Sequence, residues 1–231
     1  MHREIIAKVK GEIPDGTLLT VLIPDESLTD TLKKLLVNGV LKGELRIDDG
    51  RRITAGQRKK AYAIISEISD WNGDLPEWLK EFLKLDYMID TGESHFSLRN
   101  CSVSTARDFI SHLIDFAVKH GVPLSEHPIH RTELIDRYLN SCLIHKKCAV
   151  CGKEAHLHHV TRVGMGRDRE TISHVGMKVM ALCPICHNTC HTMPQAEFDE
   201  LHHIYGIAAN LKICEVWGLN YCTKNHSVTA K

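Results

Sequence analysis

No stretch of about 18 apolar residues occurs in the chain, so a membrane-spanning helix is not expected. The first residues, Met1-His2-Arg3-Glu4, lead into a charged amphipathic segment rather than the apolar core of an export signal. A cytoplasmic location is therefore expected. Net charge is lacking too, because 29 Lys and Arg balance 29 Asp and Glu. The whole molecule is not a polycation, and nucleic-acid binding would need a local basic face. There is no internal repeat and no low-complexity segment, which argues against a solenoid.

What is present is unevenly placed. The 231 residues suffice for two modest domains, and 43% hydrophobic with 25% charged content is ordinary for a globular protein. The excess lies in 16 His and 9 Cys. Cys142, Cys148, Cys151, Cys183, Cys186 and Cys190 fall within about fifty residues, and in a reducing cytosol such clustering favours metal ligation over disulfides.

Along the first fifty residues, Glu4–Lys10, Thr17–Ile23 and Gly43–Ile47 alternate or are β-branched and predict strands. Asp30–Val37, with Leu32, Leu35 and Leu36, predicts a helix between them, and Asp48-Asp49-Gly50 predicts a turn. From Thr54 the period changes to that of helices. The spacing predicts helices over Gln57–Trp71 (capped by Thr54), over Glu77–Leu85, from a Ser104 cap to Gly121, and over Arg131–Leu143. Ser125–Ile129 reads as a linker. The expected division is a first domain over 1–130 and a second over 131–231, in an α+β protein.

Cys148-Ala149-Val150-Cys151-Gly152 and Cys183-Pro184-Ile185-Cys186 are two knuckles, which together supply four thiolates for a closed tetrahedral zinc. Between them stands His156-Leu157-His158-His159-Val160, an extended run whose neighbouring side chains point to opposite faces. One of the adjacent pair can hold a metal while the other faces a substrate. His187 and His191, four apart, share one face of a helix. A strand His opposite two helix His makes a metal site with coordination positions left for water and phosphate. Thr161–Arg169 carries Arg162, Arg167 and Arg169 with two glycines, a basic loop suited to phosphates. Its bland alternative is a solvated surface loop. Cys190 reads as a spare thiol, either a competing ligand or buried filler, and Cys101, Cys142, Cys214 and Cys222 read as unligated thiols. His202 and His203 read as core or surface histidines.

The pattern C-x-x-C, then H-H-V, then L-C-x-x-C-H-x-x-x-H resembles the HNH family of ββα-metal endonucleases, over roughly Cys148 to His191. That resemblance implies a small ββα-metal domain with a structural zinc held by the four cysteines. It makes His158, His187 and His191 ligands of a second, catalytic metal and His159 the general base that activates water. The family's Asn before the second knuckle is missing from His174–Met180, and His174 is the candidate replacement. Three imidazoles favour Zn, Ni, Mn or Co over Mg, whereas the resemblance implies that Mg or Mn supports turnover.

The first domain carries no metal or nucleophile constellation. Thr54-Ala55-Gly56-Gln57-Arg58-Lys59-Lys60-Ala61-Tyr62 and Ser104-Thr105-Ala106-Arg107-Asp108-Phe109, each opening a helix, resemble the NinB (Orf) family of phage recombination proteins. This implies binding to single-stranded DNA or to single-strand-binding protein, as a homodimer, in recombination mediation within the host-cell cytoplasm. Arg58, Lys59 and Lys60, with Arg51 and Arg52, form the densest basic patch outside the zinc region, and Tyr62 and Trp71 could stack bases. The plain alternative is a solvated helix face. The expected activity is metal-dependent hydrolysis of phosphodiester bonds in single-stranded or branched DNA. The rival is a non-catalytic, zinc-stapled recombination mediator that binds DNA or single-strand-binding protein.

Overall fold

The computed structural model describes residues 6–13, 16–22, 50–160 and 173–221. The expected helix Asp30–Val37, the strand Gly43–Ile47, Arg162, Arg167, Arg169 and Cys222 lie outside the described residues. The chain falls into two compact units, Met1–Ile47 and Asp48–Lys231, so residue 130 lies inside the second.

In the first unit, β1 (Ile6–Ile13) and β2 (Gly16–Leu22) pair antiparallel from Ile6↔Leu22 to Ile13↔Gly16. A register shift between Val9 and Gly11 marks a bulge, where one extra residue increases the local twist.

The second unit begins with three helices, α1 (Ala55–Asn72), α2 (Pro76–Thr91) and α3 (Val103–His120). Thr54 caps α1 as expected, in a capping box with Gln57 that satisfies two otherwise orphaned backbone groups. The second helix runs past the expected Leu85, because Tyr87 extends the buried stripe of Leu79 and Leu83, and it stops at Gly92 with φ of 70°. The cap of α3 is Ser102 rather than Ser104. Ser102 bridges Arg52 in extended conformation, and its hydroxyl accepts from the Thr105 N–H at 2.9 Å.

Residues 125–129 are not a free linker. Pro128–Arg131 forms the short helix α4, and buried Arg131 donates two hydrogen bonds to Glu67 of α1, at 2.9 and 2.8 Å, and one to Ser125. A buried bidentate pair of this kind fixes geometry strongly, and removing one partner costs about 3–5 kcal/mol. Burial works to raise the Glu67 carboxyl, but Arg131 and Ser125 hold it below its usual value. The next helix, α5 (Ile135–Ile144), accordingly starts later than Arg131.

Beyond α5 come β3 (His156–His159), β4 (Lys178–Leu182), α6 (Pro184–Thr192), α7 (Gln195–His202), β5 (Ile207–Ala208) and α8 (Leu211–Trp217). The three strands form an antiparallel sheet in the order β3-β4-β5. One hydrophobic core runs from Ile64, Phe109 and Ile114 through Tyr138 and Leu143 of α5 to Val179–Leu182 of β4. The protein is thus mixed α+β, and its sheet rests on a helical base. Tyr138 Oη donates to the Ala149 carbonyl at 2.9 Å and Trp217 Nε1 to the Leu143 carbonyl at 2.8 Å, so both buried polar tips are satisfied. Among the described residues no helix is long and apolar enough to cross a membrane.

Candidate functional site

The first knuckle is a tight turn between α5 and β3. Cys148 N–H donates to the Lys153 carbonyl at 2.7 Å, Gly152 N–H donates back to the Cys148 carbonyl, and Gly152 takes φ of 70° to allow it. Ala149 N–H donates to the Ala181 carbonyl of β4, bringing this turn beside the second knuckle. There Cys183 caps α6. The sulfurs of Cys148, Cys151, Cys183 and Cys186 lie within 4.8 Å of one another, with Cys151–Cys183 at 3.5 Å and Cys186–Cys151 at 3.9 Å. Zinc–sulfur bonds of about 2.3 Å give tetrahedral sulfur–sulfur edges of about 3.8 Å, so the set fits a zinc ion. Burial works to raise the Cys183 thiol, yet the Cys186 backbone N–H and the neighbouring thiols pull it down to about 7. Burial and adjacent thiols push Cys151 and Cys186 up. Four crowded thiols cannot all ionise unaided, and a dication removes that conflict.

The second cluster is built from a strand and a helix. His158 on β3 is 5% exposed and meets His187 and His191 of α6, with ring centroids 4.9 and 5.3 Å away and the two helix rings 4.6 Å apart. Their ring nitrogens lie within 4.8 Å of one another. Burial holds His158 and His187 below the usual imidazole value, and facing histidines add to it. Neutral rings keep a lone pair for a cation.

Two groups that sequence reasoning missed fix this cluster. Gln195 Nε2 donates to Asp199 Oδ1 at 2.7 Å, which turns Gln195 Oε1 toward His158 Nε2 at 3.2 Å. An amide oxygen only accepts, so His158 Nε2 carries the proton and Nδ1 keeps its lone pair. Cys190, which is buried, stands 3.4 Å from the same Gln195 oxygen and 3.7 Å from His158 Nε2.

His159, next in the strand, leaves by the opposite face and is half-buried. Its ring lies 5.4 Å from that of His174, which is 7% exposed. Both the backbone N–H and the Nδ1 of His174 bond the Asn220 carbonyl, at 2.9 and 3.2 Å. With Nδ1 donating there, Nε2 of His174 is an acceptor.

These observations bring the sequence-predicted ligands and the two remaining histidines into one β–β–α unit. The chain belongs to the family described as "Putative HNHc nuclease". That family's model matches residues 25–217, which includes both the helical base and the cysteine and histidine clusters. No curated protein and no solved structure matches the chain.

The other candidates lie elsewhere in the second unit. Arg58 of α1 donates to the carbonyls of Leu98 and Arg99, both at 2.9 Å, and Lys60 to that of Arg131 at 3.4 Å. Those groups therefore hold loops in place, whereas Lys59 is exposed, as are Tyr62 and Trp71. Asp86, Asp90 and His112 form a further group, but the carboxylates address different nitrogens of the ring, at 3.0 and 3.9 Å. That is the arrangement of a carboxylate–imidazole hydrogen bond with a second carboxylate nearby rather than of ligands converging on one point.

Proposed function

We propose that the chain is a metal-dependent endonuclease that hydrolyses DNA phosphodiester bonds. The observation that carries this reading is the division of one strand's adjacent histidines: His158 turns to His187 and His191, and His159 turns to His174. His158, His187 and His191 hold the catalytic metal (Mg, Mn, Ni or Zn), and Cys148, Cys151, Cys183 and Cys186 hold a structural zinc. When bound, the catalytic cation polarises the scissile phosphate and stabilises the departing 3′ oxygen.

His159 is the general base. It accepts a proton from the attacking water as the new P–O bond forms and the bond to the 3′ oxygen breaks. His174 takes the place of the family's asparagine. Its Nδ1 is committed to Asn220, so its Nε2 offers the acceptor that an Asn side-chain oxygen would, which orients the base. Arg162, Arg167 and Arg169 would grip the phosphates on either side. The support for Lys59 as a backbone contact, and for Tyr62 and Trp71 as stacking surfaces, is their exposure along α1. Together they make residues 1–130 the targeting part, with Arg58 and Lys60 bracing the loops beside them, and direct cleavage to single-stranded or branched DNA in phage recombination or DNA processing.

Purified full-length protein incubated with single-stranded, duplex and branched DNA, with Mg, Mn, Ni or no metal, tests the reading. Metal-dependent cutting, weakened on the preferred substrate by Lys59→Glu, is the expected result. Protein that retains zinc and binds DNA, or single-strand-binding protein, without cutting would instead be a non-catalytic recombination mediator.

A further inference from the structure

The helix α2 carries two apolar stripes, and among the described residues only one is packed into the core. Leu79, Leu83 and Tyr87 are buried in the core, at most 1% exposed. On the other side Leu75, Trp78, Phe82, Leu85 and Ile89 are 73%, 56%, 42%, 52% and 73% exposed. Their spacing alternates three and four residues, so they form one continuous seam about four turns long. Trp78 and Phe82 stack on each other, with centroids 5.4 Å apart and planes inclined by 9°. The seam therefore already holds a flat aromatic centre, and little side-chain freedom is lost when something lies across it.

The borders of the seam decide what fits. On a helical wheel Glu81 adjoins one edge, and Asp86 followed by Asp90 adjoins the other. The lysines of this helix turn elsewhere: Lys84 is buried against Phe96, and both Lys84 and Lys80 reach Glu81, at 3.0 and 3.3 Å. His112 supports Asp86 at 3.0 Å. Glu81 is thus offset by two lysines, and the negative border of the seam is the Asp86 and Asp90 side. An antiparallel second copy would set the Asp86 and Asp90 border against itself. Nucleic acid and anionic lipid are repelled for the same reason.

We propose that this face of α2 docks an amphipathic helix of a partner protein, one with an apolar stripe bordered by Lys and Arg. Such a helix fills the seam with residues spaced three and four apart and meets the Asp86 and Asp90 border with positive charge. This inference does not depend on the nuclease reading.

The test uses full-length protein and two labelled helical peptides, one of Leu and Lys heptads and its twin with Glu for Lys, followed by fluorescence anisotropy. The Leu/Lys peptide is expected to bind and to weaken as salt rises, and the Leu/Glu twin is expected not to bind. Trp78→Ala and Ile89→Ser, both at exposed positions, should each weaken binding about tenfold. Asp90→Asn should weaken it less, and the melting temperature should stay unchanged in all three variants. Equal binding of both peptides, or binding indifferent to Trp78→Ala, overturns the proposal. So does peptide-free dimerisation abolished by Ile89→Ser, which would assign the seam to a second copy, or a loss of DNA affinity in Trp78→Ala.

Discussion

The two metal-competent clusters sit a few residues apart in sequence and differ in almost every physical respect. The cysteine cluster draws on two short local turns. Its sulfurs are held by backbone hydrogen bonds at a knuckle and at a helix cap, and its four thiols are the number that a tetrahedral zinc needs. The histidine cluster draws on a strand and a helix, has three ligands, and runs from buried His158 to exposed His191. Four thiols can close a coordination shell and suit a staple, whereas three imidazoles leave a position for water or substrate and suit chemistry. The contrast also lies in what supports the ligands. Thiolates need only the local turn, but a neutral imidazole must be turned by a partner, and here that partner is Gln195 backed by Asp199.

The comparison can be broken first at the staple. Cys183→Ser should abolish zinc binding and unfold the sheet region, since zinc affinity on the order of 10 kcal/mol is coupled to folding. Zinc analysis and amide exchange would check this, and a folded, zinc-free variant would remove the distinction between staple and site. A smaller effect is expected at His174. His174→Ala should leave zinc in place and slow cleavage about 10²-fold by misorienting His159, and His174→Asn should recover much of the loss. Unequal rescue by Asn and Ala is what a merely structural role for His174 would not give. Smaller again, Gln195→Ala should weaken the catalytic metal about 10- to 100-fold, read as a shift in the metal concentration that supports cutting, with thermal stability little changed.

Much of the candidate site was legible because its signals are short in range. Two-residue gaps between cysteines, alternation along His156–His159 and the four-residue gap from His187 to His191 each state a local geometry, and the structure brings those groups together. The groups that steer them are remote. Gln195 lies 37 residues from His158 and Asn220 lies 46 from His174, and no spacing rule links such pairs.

The helical base shows the same limit. Thr54 was readable as a cap from its own turn. Choosing Ser102 over Ser104 required the bridge to Arg52, and the linker became a clamp through the Arg131–Glu67 pair, 64 residues apart. The true length of α2 was hidden by the outer stripe, whose exposed Leu85 and Ile89 blur the amphipathic period.

The central claim is that His159 performs general-base chemistry beside a metal held by its strand neighbour. The most direct test compares DNA cleavage by the full-length protein and by His159→Ala across Mg, Mn and Ni, with zinc content and DNA affinity measured on the same samples. Metal-dependent cutting that falls about 10²- to 10⁴-fold in the variant, with zinc and DNA affinity retained, is the predicted result. Cutting that is unchanged in His159→Ala, or no cutting with any metal in zinc-replete protein, would contradict it.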